Sequence, residues 1–399
     1  MALSQMVLKI ASRCNLNCSY CYMYNVGDTT YINQPKVMSD EVVTCILSKV
    51  RAYCFEHALS EFDFVFHGGE PMLAGKEFYK NFIRSADLIL GKDITYSISI
   101  QTNGTLIDED WSCFFRDYGI YAGISIDGPE DVHDKNRRYH SGKGSFKDVL
   151  HGLENLKKYN PINLIAVIDV QSNPTEFYNL IKSLSASRVS IQIEYANYDK
   201  PPLGIKNYHL GDYTAYADWL IQLYDLWKKD TDSRPSINIL SQIMSLLLGV
   251  KDSTSDMLGE KNCDLLIIET DGGIEPSGSL KICGNAFTKQ GLNIVNNEIE
   301  EALENDLIKS YLNSHSGNLP LKCLQCPVKE VCGGGSLSSR YSESNGFNNP
   351  SIFCNDLMKL ITYLQNSLID IFPEDSPVHK LIKKISYQEA RELNELHSI

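Results

Sequence analysis

The sequence predicts an α/β protein built on a parallel sheet. Six short runs rich in Val, Ile, Phe and Tyr alternate with helix-like stretches across the first two hundred residues, the pattern of repeated βα units. The chain has 399 residues, of which 43% are apolar, so it can bury sizeable cores. At ~150 residues per domain this length suits about two domains, or one barrel with an extension. Pattern alone leaves a flat, doubly wound sheet and a curled barrel both open.

The strand-like runs are Met6–Ile10, Phe62–Phe66, Thr95–Gln101, Ala122–Ile126, Ile162–Val170 and Val189–Tyr195. Between them lie the helix-like stretches Ser39–His57, Lys76–Leu90, Asp108–Tyr118, Ser145–Tyr159 and Thr175–Leu184. Ser39 and Asp108 read as N-caps, with acidic residues in the turn that follows. After Asn197 the alternation ends and Pro201-Pro202 marks a break. Asp212 to Lys229 and Ile237–Leu248 read as helices. From Cys263 onward Gly, Asn, Ser and Cys dominate, and such a segment benefits from a metal staple. Asn355–Ile371 reads as a last helix, followed by a polar tail. The expected division is a barrel over 1–196, a helical bridge over 197–262, a cysteine-rich domain over 263–372 and a tail over 373–399.

A net charge of −13 argues against a general nucleic-acid binder, which needs a basic face. No apolar run approaches the ~20 residues of a membrane span. Met1–Ile10 is short and interrupted by Lys9, so it does not read as a signal-peptide core. A cytoplasmic location is expected, where disulfides are rare and clustered cysteines bind metal. Seven of the twelve cysteines cluster, at 14–21 and 323–354.

Cys14, Cys18 and Cys21 form C-x3-C-x2-C directly after the first strand. Three thiolates on one short loop can hold three irons of a cubane and leave the fourth open for a ligand; a zinc loop is the alternative on spacing alone. His67-Gly68-Gly69-Glu70-Pro71 ends the second strand, at the edge where α/β ligand sites lie. Paired glycines allow close backbone approach, and Glu70 can accept from an ammonium group.

Together these residues resemble the radical S-adenosylmethionine (SAM) superfamily. Cys14-x3-Cys18-x2-Cys21, with Tyr20 before the last cysteine, looks like its cluster loop, and Gly68-Gly69-Glu70 like its GGE motif at the methionine amino group. Gln101-Thr102-Asn103-Gly104 and Ser125-Ile126-Asp127-Gly128 are similar to its next two strand ends. The resemblance implies a partial (β/α)6 TIM-like barrel, SAM, and a [4Fe-4S] cluster with an open iron. It puts Ser125 at the ribose, Arg137 at the methionine carboxylate, Tyr20 at the adenine and Asn103 in the cofactor site.

Gly278-x4-Cys283, Cys323-x2-Cys326-x5-Cys332 and Cys354 resemble the SPASM extension, a C-terminal domain carrying auxiliary [4Fe-4S] clusters. Cys323, Cys326, Cys332 and Cys354 complete one such cluster; four zinc ligands are the bland reading of this quartet. The seven-cysteine pattern has a further Cys where this chain has Ser336. That leaves Cys263 and Cys283 as metal ligands for a second auxiliary site, and two thiolates are too few for a four-ligand cluster. The expectation is that this second cluster is absent.

Within the superfamily, the chain most resembles cyclophane-forming peptide maturases. The residues are Glu269 to Pro276, Gly333-Gly334-Gly335, Arg340-Tyr341-Ser342, Asn345 to Pro350, and Ala196 to Asp199 before Pro201-Pro202. The resemblance implies that a 5′-deoxyadenosyl radical starts a crosslink between an aromatic ring and the β-carbon of a nearby residue in a ribosomal precursor peptide. Ether-forming relatives exist, and thioether formation is a further alternative. Glu194, Glu269 and Asp271 are the candidate proton acceptors, and the auxiliary cluster is the electron acceptor. An external donor such as flavodoxin or ferredoxin is implied. Anaerobic sulfatase maturases, which make formylglycine, are the competing relatives; they place an Asp base where this chain has Gly284. A non-enzymatic iron–sulfur scaffold is the reading from another class, and it leaves the SAM-type strand ends unexplained.

The barrel starts almost at residue 1, so leader recognition is expected in the 197–262 region, in the C-terminal domain or on a separate protein. The negative charge favours a peptide with a basic portion. Cys45, Cys54 and Cys113 lie on helix-like stretches and read as buried small apolar groups. For His133-Asp134 a surface polar pair is the default against a proton shuttle. For Tyr213, Tyr216, Trp219 and Tyr224 the default is helix packing, and for Glu298–Glu304 a solvated face.

Overall fold

A computed structural model describes residues 3–250, 256–260, 263–317 and 319–396. In chain order its strands are β1 Gln5–Ala11, β2 Glu61–Gly68, β3 Thr95–Thr102, β4 Tyr121–Ser125, β5 Asn163–Val167, β6 Arg188–Gln192, β7 Ser236–Ile237, β8 Leu265–Ile268 and β9 Ile274–Glu275. The main helices are α1 Asp40–Glu56, α2 Lys76–Leu90, α3 Glu109–Asp117, α4 Glu130–Asn136, α5 Phe146–Lys157, α6 Pro174–Ser183, α7 Ala215–Lys229 and α8 Asn238–Leu247. The chain divides into two compact units, Met1–Ala166 with Asp264–Leu312, and Val167–Cys263 with Asn313–Ile399.

In the first unit β1 to β5 pair in parallel, with the order β5-β4-β3-β2-β1-β8-β9. The sheet does not close: β9 runs antiparallel to β8 at the edge. Met6, Leu8 and Ile10 of β1 are fully buried, as are Phe64 and Phe66 of β2. Phe66 meets Phe82 of α2 edge-on at 4.8 Å and Tyr79 at 5.3 Å. Each such ring contributes roughly 1.5–3 kcal/mol by burial. The expected caps form: Ser39 Oγ accepts from Val42 N at 3.3 Å, and Asp108 Oδ1 from Trp111 N at 2.7 Å.

Three features depart from the sequence reading. The segment 264–312 folds with the first unit rather than with a cysteine-rich domain, because β8 adds to β1 in parallel, Gln5 opposite Leu265 and Leu8 opposite Ile268. The helix α4 was not anticipated; its Glu130-Asp131 start suits a helix N-terminus, but its run is too polar to show a core face. The polar tail holds a helix, Tyr387–Leu396, anchored to the helix Cys354–Ile369, where Asn366 donates to Ile385 O at 2.9 Å and accepts from Ile385 N at 3.0 Å.

In the second unit β6 and β7 pair in parallel. Asp356 of Cys354–Ile369 caps α7, its Oδ1 accepting from Tyr216 N at 3.0 Å and Ala217 N at 3.1 Å. Tyr216, Trp219 and Tyr224 are buried packing residues, as the default reading has it, while Tyr213 is exposed. No helix among the described residues is long and apolar enough to cross a membrane.

Candidate active site

The loop after β1 carries Cys14, Cys18 and Cys21 and is pinned on two sides. Asn17 N donates to Arg138 O at 2.7 Å and Ser19 N to Asn136 O at 3.1 Å. On the other side Gly69 N donates to Ala11 O at 2.8 Å and Glu70 N to Arg13 O at 2.9 Å. This explains the paired glycines. A Cβ on Gly68 would lie 2.2 Å from Ala11 O, and one on Gly69 2.4 Å from Arg13 O. What approaches these glycines is the backbone leading into the three-cysteine loop.

Glu70 is fully buried. Its Oε1 accepts from Thr102 Oγ1 at 2.7 Å and Met72 N at 3.0 Å, and its Oε2 from Asn103 N at 2.9 Å. Burial pushes its carboxyl up to about 7 against these bonds. Glu70 thus ties the ends of β2 and β3 together. Asn103 Nδ2 reaches Asn15 Oδ1 at 2.8 Å and lies 3.7 Å from Cys14 Sγ.

Asp127, beyond β4, organises the next group. Its Oδ2 accepts from Arg137 Nε at 2.9 Å and from the Tyr20 hydroxyl. The Arg137 guanidinium sits 5.5 Å from the Tyr20 ring centroid. Ser125 accepts from Gln101 Nε2 at 3.1 Å. The structure thus brings Tyr20, Gly68, Gly69, Glu70, Asn103, Ser125 and Arg137 to one end of the sheet beside the three thiols. Burial pushes the Cys18 thiol up to about 11, with Arg137 opposing. Asp127 as partner and His140, 3.0 Å from Cys14 O, were missed. Asp127 had a signal, two positions after Ser125 at a strand end; His140 had none.

His133 is not a surface residue. It is fully buried, receives Asp127 N at 3.3 Å on Nδ1 and lies 3.0 Å from Ser145 Oγ through Nε2. Burial lowers it to about 4, so it is neutral near pH 7. Asp134 accepts from Ser145 N at 2.8 Å and Phe146 N at 2.9 Å, capping α5.

The candidate proton acceptors fall in different settings. Glu269 in the first unit is fully buried, 2.7 Å from Lys9 Nζ and 3.2 Å from Lys281 Nζ. Burial pushes its carboxyl up, yet the two ammonium groups hold it well below the usual range, which makes it a poor base. Lys281 also meets Asp28 at 3.1 Å and Glu275 at 2.9 Å. Asp271 is part-exposed and pairs with Lys289 at 3.3 Å. Glu194 in the second unit accepts from Tyr216 Oη at 2.5 Å and Leu203 N at 2.7 Å. It lines a small pocket with Asp256, Ser336 and Ser351.

None of the twelve cysteines is in a disulfide. Cys323, Cys326, Cys332 and Cys354 line one pocket, with Gly334 in its wall. Burial pushes Cys323 up to about 11 and Cys332 up to about 12, so a thiolate there needs a cation. Four soft sulfur donors lining one pocket suit an iron–sulfur cubane. A single zinc ion, with sulfurs at about 2.3 Å, would need the four drawn tightly together. Cys263 lies in the second unit and Cys283 in the first, before Gly284. Cys54 is buried, as expected, while Cys45 and Cys113 are only partly so.

Residues 8–184 match the Radical SAM superfamily. The chain is 29% identical over 358 residues to a cysteine-type anaerobic sulfatase-maturating enzyme of Clostridium novyi, spanning 88% of this chain and 92% of the relative. It is 27% identical over 356 residues to a serine-type anaerobic sulfatase-maturating enzyme of Bacteroides thetaiotaomicron, spanning 85% and 83%. The solved structure of native anSMEcpe with bound AdoMet matches at a TM-score of 0.78 and 26% identity, covering 92% of this chain and 98% of that one. Streptococcus suis SuiB bound to its precursor peptide SuiA shares the fold, at a TM-score of 0.57 and 13% identity over 88% and 76%. The fold class is the expected one, an open radical SAM sheet with a C-terminal SPASM-type domain. The relatives with a named activity here are sulfatase-maturating enzymes, which back the competing expectation better than the cyclophane one.

Proposed function

We propose that this chain, a radical SAM enzyme with SAM and [4Fe-4S] clusters as cofactors, takes a hydrogen atom from the β-carbon of a peptide side chain and completes a two-electron oxidation there. The observation that carries this reading is the three-thiol loop locked by Gly68 and Gly69 against the strand end that bears Glu70. In this reading Cys14, Cys18 and Cys21 hold the catalytic cluster. Bound there, the reduced cluster and SAM supply the radical that abstracts hydrogen.

The chain's own residues then orient and shield. Arg137, held by Asp127, offers its remaining N–H groups to a carboxylate. Tyr20, Asn103 and Ser125 line the remaining contacts of the cofactor. Gly68 and Gly69 offer backbone to its amino group, while Glu70 braces them. Cys323, Cys326, Cys332 and Cys354 would hold an auxiliary cluster, which would supply an acceptor for the second electron. Glu194 and Asp271 are the available proton acceptors, since Glu269 is committed to two lysines. A flavodoxin- or ferredoxin-like carrier supplies electrons, and leader binding falls to the 197–262 region, the C-terminal domain or a separate protein.

The relatives' names favour oxidation of a cysteine or serine to formylglycine as the first reading. A second reading, an aromatic-to-β-carbon crosslink, is favoured by Gly284. This chain lacks the aspartate the formylglycine-forming relatives place there, although a Cβ would meet Phe287 no closer than 3.9 Å. Anaerobic incubation of the holoenzyme with a sulfatase-derived peptide, and with a small aromatic-containing peptide encoded nearby, separates the two by mass spectrometry. An aldehyde on the first peptide supports formylglycine formation. Loss of a hydrogen pair with a new ring-to-β-carbon bond on the second supports crosslinking. SAM cleavage with both peptides unchanged sinks the peptide reading.

A further inference from the structure

Arg340 is fully buried in the second unit, and none of the chemistry above uses it. Its guanidinium is wrapped by the turn that follows Cys332. Nε donates to Gly334 O at 3.0 Å, and Nη2 to Gly335 O at 2.8 Å and Gly333 O at 3.2 Å. All three glycines have positive φ, at 60°, 84° and 72°, the conformation that turns their carbonyls onto one point. A Cβ on Gly334 would lie 2.9 Å from Nη2 and 3.1 Å from Cζ, so the guanidinium fills the place a side chain would take. Gly334 is also part of the wall of the four-cysteine cavity.

The fourth side of the fork is unfinished. Nη1 is buried and has no hydrogen-bond partner. Arg340 lies within electrostatic reach of the Cys323, Cys332 and Cys263 thiols, and it shares the Gly333 carbonyl with His315 Nδ1, which lies 2.9 Å from that oxygen. A buried guanidinium bonded only to neutral carbonyls is costly unless an anion completes its surroundings. A cubane with four thiolate ligands is such an anion, and its negative charge grows by one on reduction. A cation and a hydrogen-bond donor beside the sulfurs therefore favour the reduced form.

We propose that Arg340 donates its free Nη1 hydrogen bond to the auxiliary cluster's sulfurs and raises that cluster's reduction potential, making it the acceptor for the electron released by the peptide. This rests on the assignment of Cys323, Cys326, Cys332 and Cys354 as the cluster's ligands. The balance is one electron and one proton from the peptide after hydrogen-atom removal. The electron reduces the cluster, the proton goes to a carboxylate, and an oxidised one-electron carrier protein restores the cluster. Arg340 acts through the cluster and is a positioning residue.

The test is a potentiometric titration of the holoenzyme followed by electron paramagnetic resonance, with SAM added to shift the open-iron signal away from the auxiliary one. Arg340→Gln is expected to weaken cluster reduction at least tenfold, about 59 mV for one electron. Arg340→Lys, which keeps the charge but not the fork, should fall between. An unmoved potential in an Arg340→Gln protein that retains its cluster overturns the proposal. If that variant does not hold the cluster, pulsed resonance on wild-type protein made with isotope-labelled arginine decides. A nitrogen coupling to the reduced auxiliary cluster is expected, and its absence overturns the proposal. Unchanged iron content in Cys354→Ala overturns the ligand assignment and this proposal together, whereas an unmoved potential overturns the role of Arg340 alone.

Discussion

Substituting Gly69 with alanine tests how the cluster loop is held. The added Cβ would lie 2.4 Å from Arg13 O and 2.0 Å from the Tyr24 hydroxyl. The tyrosine can swing away, but the Arg13 carbonyl is backbone and sits about 1 Å inside ordinary contact. It must move, and Cys14 is the next residue. Overpacking of this kind costs about 1–3 kcal/mol. At about 2 kcal/mol, that is roughly thirtyfold against the docked loop. A shift of about 1 Å exceeds the tolerance of metal–ligand distances, ±0.2 Å. After anaerobic reconstitution, iron should fall from about eight per chain to about four, given roughly four irons per cubane. Gly284→Ala is the control: its nearest neighbour is at 3.9 Å, and its φ of 162° is extended backbone. That variant should keep its iron. Full iron in Gly69→Ala, with an unchanged melting curve, would refute the reasoning.

Glu70→Gln should flatten the pH dependence of stability. The buried carboxyl is raised to about 7 from an ordinary value of 4.5, so its contribution is present at low pH and lost as pH rises through about 7. The full effect is about 3 kcal/mol, so the urea midpoint should change less between pH 5 and pH 8 in the variant; an unchanged difference contradicts the placement of Glu70. Asp127→Asn leaves the buried Arg137 without its partner, a loss of about 3–5 kcal/mol. Equilibrium unfolding showing less than about 1 kcal/mol would mean the pair is solvated. Cys263→Ala and Cys283→Ala should each leave the iron content unchanged, because two thiolates do not hold a cubane; loss of about four irons in either variant would show that a second auxiliary cluster exists.

The strands, their parallel order and the clustering of cofactor residues at one end were legible because each rests on local signals: apolar runs, caps, glycine pairs and cysteine spacing. What failed to show was non-local. Lys9 and Glu269 are 260 positions apart, and nothing near either announces a buried ion pair. The run Leu265–Ile268 is only four residues long inside a polar segment, so its addition to β1 depends on an edge the local sequence does not describe. His133 looked like a surface residue because its neighbours are charged, yet it faces inward to Ser145. Arg340 was visible only as part of a motif; its burial depends on three successive positive-φ glycines closing around it.

The central claim is that a side-chain β-carbon gives up a hydrogen atom to the radical made at the Cys14–Cys18–Cys21 site. The direct measurement uses a substrate peptide deuterated at that carbon, incubated anaerobically with reduced holoenzyme and SAM, with the 5′-deoxyadenosine analysed by mass spectrometry. The account predicts one deuterium in the 5′-deoxyadenosine for each modified peptide, and none from the Cys18→Ala protein. Modified peptide accompanied by unlabelled 5′-deoxyadenosine would contradict it.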